Sequence, residues 1–266
     1  MMRLKNTVPM FLLVFFLTIV GCHAAFDLEL LAGGARGTGF GDAIMAFADD
    51  ATAMCYNPAG LAVNSDRELL YQNQNWYDGT MRQDQVYFKY GVLGAGRIQF
   101  VSSELEYTET AYLLSAAHRF GPHFLLGLNL RPLSFKCQEV TGKGLAADLG
   151  LMYEAEKFTV GFTVQDAYKN LRYSTDVIEG PKPTFTVGGS YCKAPVRLAG
   201  SVDSFGRLAV GVETYLAKGL AARAGRSGDQ NSMGFSFSKG KLGVDYSYSV
   251  GLIGVANHAL SLKLNF

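Results

Sequence analysis

Side chains that could do chemistry are few in this sequence, and their spacing excludes most enzymatic classes. Of the four histidines, His23 lies in the N-terminal leader, His118 and His123 flank Gly121-Pro122, and His258 opens the last alternating segment. None sits at a Cys/His spacing that holds zinc, and no serine and polar orienter stand in a pattern with them that marks a hydrolase site. With Cys22 in the leader, Cys55, Cys137 and Cys192 remain. An odd number of cysteines far apart is no disulfide framework. Gly37, Gly39 and Gly41 fall short of a phosphate-cradling G-x-G-x-x-G, because position 42 is Asp and no strand precedes them. The sequence therefore predicts no enzyme, no cofactor and no metal.

The chemistry that remains is ionic and apolar. By alternation, Lys89, Arg97, Arg131, Arg197, Arg223 and Lys263 fall on the small or polar face of their segments, as do Asp148, Asp203, Glu213 and Asp245. Charges enclosed in a protein must be compensated, so most of these are expected to pair with one another or with Arg36, Asp49 and Asp50. A cation left over would offer parallel donors to a carboxylate. Arg36, Arg131, Arg197 and Arg223 are thus candidate head-group ligands. Phe40, Ile44, Met45 and Phe47 are candidates for the apolar wall against which a chain would lie.

The elements that must position these residues are strands. Phe124, Leu126, Leu128 and Leu130 alternate with Leu125, Gly127, Asn129 and Arg131; Leu145 to Glu154 and Phe158 to Gln165 repeat the pattern, which continues to the end of the chain. About fourteen such segments run from Glu68 to Phe266, separated by turn residues such as Gly121-Pro122 and Lys239-Gly240. The expected bounds include Arg97 to Glu104, Thr110 to Phe120, His123 to Arg131, Gly144 to Glu154 and Lys157 to Gln165. A soluble sandwich also alternates, but its apolar face turns inward and its charges outward. Here the apolar face is almost free of charge and the opposite face is rich in Gly, Ser and Thr, as lipid outside and a polar lumen require.

Composition and targeting agree. Charged residues make up 18% of the 266 residues, against about a quarter in soluble domains. A net charge of +1 without a Lys/Arg block argues against a nucleic-acid partner. Residues 1–24 read as an export signal, with Arg3 and Lys5 before an apolar run from Met10 to Val20 too short to span a bilayer. Cleavage after Ala24 and lipidation at Cys22 are both compatible with it. Leu260, Leu262, Leu264 and the terminal Phe266 resemble the sorting signal of bacterial outer-membrane barrels. The expected architecture is an all-β transmembrane antiparallel barrel over residues 66–266, a monomer in the outer membrane of a Gram-negative-type envelope with lipid as its surroundings.

Residues 25–65 are different: small residues, paired acids, an Asn-Pro turn and no alternation. A strandless segment of this length is a linker or a plug, with Ala43 to Ala48 expected to form a short helix and Asn57-Pro58 to start a turn into the wall. Three runs within it, Gly34-Ala35-Arg36, Ala48-Asp49-Asp50-Ala51-Thr52-Ala53 and Asn57-Pro58-Ala59-Gly60-Leu61, closely resemble the N-terminal hatch of the FadL-type outer-membrane transporter superfamily and its smaller spirochaetal and PorV-like relatives. The resemblance implies a fourteen-stranded barrel closed by a hatch containing short helices, with Asp49, Asp50, Asn57, Pro58 and Gly60 as hatch-motif residues. It implies passive uptake of long-chain fatty acids or other hydrophobic molecules. Some members serve secretion instead, so a docking platform for other envelope proteins is the second reading. Gly37 and Asp42 depart from the family pattern, and the short chain leaves little loop for an external groove.

Overall fold

The computed structural model describes residues 33–76, 79–251, 254 and 256–266. The export leader with its cleavage site and hatch residues 25–32 lie outside the described residues. The first seven strands are β1 (Arg67–Trp76), β2 (Met81–Tyr90), β3 (Leu93–Ser102), β4 (Tyr107–Phe120), β5 (Phe124–Cys137), β6 (Val140–Glu154) and β7 (Phe158–Tyr173). After a two-residue β8 (Ile178–Glu179) follow β9 (Thr184–Lys193), β10 (Val196–Asp203), β11 (Leu208–Ala217) and β12 (Leu220–Ser227). The wall ends with β13 (Gln230–Lys239), β14 (Leu242–Val250) and β15 (Ala256–Asn265). Neighbours pair antiparallel, β1 meets β15, and β7 meets both β6 and β9. The ring is thus closed by fourteen strands, with β8 only flanking the end of β7.

Closure satisfies every ladder, which is the condition for strands in lipid. The alternating leucines point outward: Leu126 is 40% exposed and Leu151 49%, while Leu125 beside them is buried. This apolar belt faces the bilayer. Phe124, Tyr153, Phe158, Phe237 and Phe266 crowd its lower rim, at the end of the barrel where both ends of the wall meet, hereafter the terminal end.

The hatch fills the lumen. It comprises α1 (Gly34–Gly39), α2 (Ala53–Tyr56) and a 3₁₀ turn, Pro58–Ala62. The expected helix over Ala43 to Ala48 is absent; those residues form turns, because Gly41 and Asp42 take φ of 69° and 58°, which ends helical propagation. Asn57 caps the 3₁₀ turn by accepting from Ala59 N and also donates to the Leu151 carbonyl of β6 at 3.0 Å. The small inward residues have a packing reason. Gly211 and Gly225 stand opposite each other, and a Cβ on either would fall 2.2 or 2.3 Å from the backbone of Phe40. Gly127 and Gly150, likewise paired, lie under Asn57 and Pro58. Wall glycines therefore mark where the hatch backbone rests.

Two sequence expectations about the wall need correction. Arg97 faces outward, not into the lumen: β3 begins at Leu93 directly after the Gly91–Val92 turn, which pairs Arg97 with the outward Val86 and Tyr112. Strands β4 to β7 have 14, 14, 15 and 16 residues and overshoot the expected ends at the far end of the barrel. There the alternation is disguised by Pro132, by outward polar residues, and by a bulge that sets Gln165 to Ala167 of β7 against Asp148 alone. Such bulges re-aim side chains, and this one turns Asp166 into the lumen with φ of 51°.

Candidate functional site

The inward charges separate into two groups on opposite sides of the hatch. On the terminal side, Arg36 of α1 pairs with Asp49 and lies 3.2 Å from Asp50 and 3.6 Å from Glu213. Glu213 also holds Arg223 at 2.6 Å; Arg223 reaches Asp245 at 3.5 Å, and Asp245 reaches Lys263 at 2.7 Å. Glu68 accepts from the Ala51 backbone, while Lys89 donates to the Asp49 carbonyl at 3.2 Å and to Asn64. The ladder registers bring these wall residues together from β1, β2, β11, β12, β14 and β15 onto the hatch acids. Burial opposes ionisation of Asp50, but Lys263, Arg36 and hydrogen bonds from Thr52 outweigh it and hold its carboxyl below the usual range. Below this network an open vestibule of about 470 Å³ includes Asp50, Arg67, Lys263 and Phe266 in its lining.

On the far side lies a cavity of about 130 Å³ between hatch and wall. Met45, Met54, Ile98 and Leu113 form part of its apolar lining, and Asn129 and Arg131 part of its polar lining. Arg131 is clamped between Asp148, at 2.8 Å, and Asp166, which the β7 bulge supplies. Lys169 bridges onward to Asp166 and Glu179 at 3.3 and 2.9 Å. Asp42, also on the cavity, accepts from the Tyr56 hydroxyl at 2.7 Å; burial raises its pKa, partly offset by that bond and by Arg207. Beyond the cavity, Phe100, Tyr107, Phe135 and Tyr173 form an edge-to-face ladder on β3, β4, β5 and β7, with centroids 6.0, 5.5 and 5.4 Å apart. Offset and edge contacts of this kind are the preferred aromatic geometry.

The sequence candidates are thus dispersed. Arg36 and Arg223 belong to the terminal-side network, and Arg131 to the far cavity. Arg197 lies 4.4 Å over the Phe47 ring and 3.9 Å from Asp49, with its buried Nε lacking a hydrogen-bond acceptor among the described residues. Of the hatch apolar residues, Met45 lines the cavity, while Phe40, Ile44 and Phe47 join the buried core, Phe40 and Phe47 meeting edge to face at 5.1 Å. Sequence reasoning missed Asn129, Ile98, Leu113 and the aromatic ladder. Parity marks Asn129 as inward, but the inward placement of Arg97 turned Ile98 and Phe100 outward, and Tyr107, Phe135 and Tyr173 lie beyond the expected strand ends.

No protein-family model matches this sequence, and no curated protein matches it. Solved structures do. The Ralstonia pickettii toluene transporter TbuX superposes with a TM-score of 0.63 at 14% identity, over 90% of this chain and 100% of that one. The P. putida toluene transporter TodX gives 0.63 at 10% identity, over 90% and 99%. The chain therefore has the fold that its hatch motifs imply, a fourteen-stranded barrel with an N-terminal hatch, shared with these two transporters.

Proposed function

We propose that this protein is an outer-membrane channel for passive uptake of small hydrophobic molecules, of about the size of one substituted ring. The observation that carries the reading is the far-side cavity of about 130 Å³, separated by the hatch from the vestibule at the terminal end. Benzene fills an apolar cavity of about 150 Å³, so a cavity of about 130 Å³ with mixed polar and apolar walls bounds the ligand at about one ring. A ligand would descend past the aromatic ladder, bind against Met45, Met54, Ile98 and Leu113, and leave after the hatch shifts. Function in two toluene transporters of the same fold supports this substrate class. Long-chain fatty acid, the other substrate of the family resemblance, fits less well. Arg131, the candidate cation on the cavity, is already held by two carboxylates, and neither Arg197 nor Phe47 lines it.

The test is calorimetric titration of the refolded barrel with toluene and with oleate, on wild type and Leu113→Trp. Toluene binding that the tryptophan abolishes is the expected result. Oleate binding alone would return the reading to fatty acids, and binding of neither would refute uptake through this cavity.

A further inference from the structure

The overshooting ends of β5, β6 and β7 carry an unexplained feature on their outer face. Lys143 of β6 and Arg172 of β7 are directly opposed across the ladder, and both are exposed. Lys136 of β5 sits on the neighbouring diagonal, since it faces Thr141 while Ser134 faces Lys143. Directly opposed side chains stand about 5 Å apart at Cβ and diagonal ones about 7 to 8 Å, so like charges there repel. Among the described residues, none of the three makes an ion pair or a side-chain hydrogen bond, and the nearby turn acids Glu139 and Asp176 form no salt bridge with them. This is the reverse of the lumen, where the inward cations Arg36, Arg131, Arg223 and Lys263 each have carboxylate partners.

Height on the barrel identifies the missing partner. Leu145, 40% exposed, follows Lys143 by two residues on the same face, and Tyr168, 49% exposed, precedes Arg172 by four. At about 3.4 Å per residue, Lys143 and Arg172 stand roughly 7 and 14 Å beyond the last outward apolar side chains of β6 and β7, with Ile178 of the short β8 level with Arg172, where the hydrocarbon gives way to head groups. Their flexible stems can reach down while the charges stay in the polar layer.

We infer that Lys136, Lys143 and Arg172 form a binding site for the phosphate of an anionic membrane lipid in the leaflet at the far end. One phosphate accepts from all three and turns their mutual repulsion into bridging. The site rests on the membrane-spanning barrel alone and is independent of what the lumen carries.

The experiment compares three proteins in nanodiscs of phosphatidylcholine, with and without phosphatidylglycerol: wild type, Lys136→Gln/Lys143→Gln/Arg172→Gln, and a charge-matched control, Lys218→Gln/Lys239→Gln/Lys241→Gln, in turns at the terminal end. Native mass spectrometry should show wild type and control retaining phosphatidylglycerol at least tenfold over phosphatidylcholine, a preference lost in the first variant. Thermal unfolding should change sign with the bilayer. In pure phosphatidylcholine the first variant should unfold no lower than wild type, because the repulsion is gone, and with phosphatidylglycerol it should unfold lower. Equal loss of preference in both variants would reduce the effect to net charge and overturn the site, as would no preference in wild type. A variant less stable in both bilayers would make the residues structural. Displacement of the lipid by soluble glycerol phosphate would overturn the assignment to a lipid.

Discussion

Glu213 is one of the residues through which wall and hatch share charge, and Glu213→Gln tests whether that sharing locks the hatch. Its carboxylate is 1% exposed and lies 2.6 Å from Arg223 and 3.6 Å from Arg36. Removing one member of a buried pair costs about 3 to 5 kcal/mol, mainly because the partner charge is left uncompensated. Here each partner keeps other acceptors: Arg223 retains Asp245 and Ser236, and Arg36 retains Asp49 and Asp50. The loss is therefore expected at the lower end, about 3 kcal/mol. Adding Arg223→Gln removes the stranded cation, while Asp245 keeps Lys263, so the double variant should lose less than the single one. Urea unfolding followed through Trp76, the single tryptophan, measures both, and planar-bilayer conductance reports the hatch directly. The single variant should leak ions and the double should leak less. A loss below about 1 kcal/mol with unchanged conductance would mean that the network is effectively solvated and that apolar contacts alone hold the hatch.

Three further outcomes are expected. Leu126→Arg, on the lipid face, should cost about 2 to 4 kcal/mol near the bilayer midplane, measured by unfolding from vesicles; a loss within experimental error would contradict the assigned face. Gly225→Ala puts a methyl group where Phe40 and Gly41 already stand, so it should raise conductance without abolishing heat-modifiable migration of the barrel; unchanged conductance would place the hatch contact elsewhere. For Asp42 the sign follows from a folded-state pKa raised mainly by burial. The carboxyl then costs stability as pH rises from its unfolded value, about 3.9, through the raised folded value. Asp42→Asn keeps the acceptor for Tyr56 and suits the positive φ, so it should stabilise the protein at pH 8 and not at pH 3. Equal effects at both values would remove the titration argument.

The wall was legible because lipid imposes one rule on every strand. Leu126, Leu128 and Leu130 had to alternate with something, and whatever opposed them faced inward. The rule weakens where the wall leaves the hydrocarbon. Ser134 and Lys136, Thr141 and Lys143, and Asn170 and Arg172 are outward yet polar, so the far ends of β5 to β7 do not look like strand in the sequence. Arg97 failed for a related reason: the apolar residues that follow it, Ile98 and Phe100, point inward, Ile98 into the buried core and Phe100 into the aromatic ladder, so the apolar face of this strand is not its lipid face.

The candidate site was harder to read because parity gives a face and no height. Arg131 and Arg223 share an inward face and a Gly/Ser-rich setting, yet one borders the far cavity and the other joins the network facing the terminal end. Their partners come from different strands, and register decides them: Asn129 faces Asp148 across the β5–β6 ladder, placing Arg131 on the diagonal, while Arg223 faces Glu213 directly. Register in turn depends on hairpin lengths, and for Asp166 on a two-residue excess in β7 that no alternation reveals. The hatch adds the remaining constraint, since paired glycines leave room for its backbone at Phe40 and Pro58 and so fix which of its side chains point to either end. Met45 and Met54 meet the cavity while Asp49 and Asp50 meet the vestibule. In the uptake proposed above, a neutral ligand arriving from the far side meets the aromatic ladder and then Met45 and Met54 beside the Arg131–Asp148 pair, and it passes only if the ion pairs beneath the hatch separate.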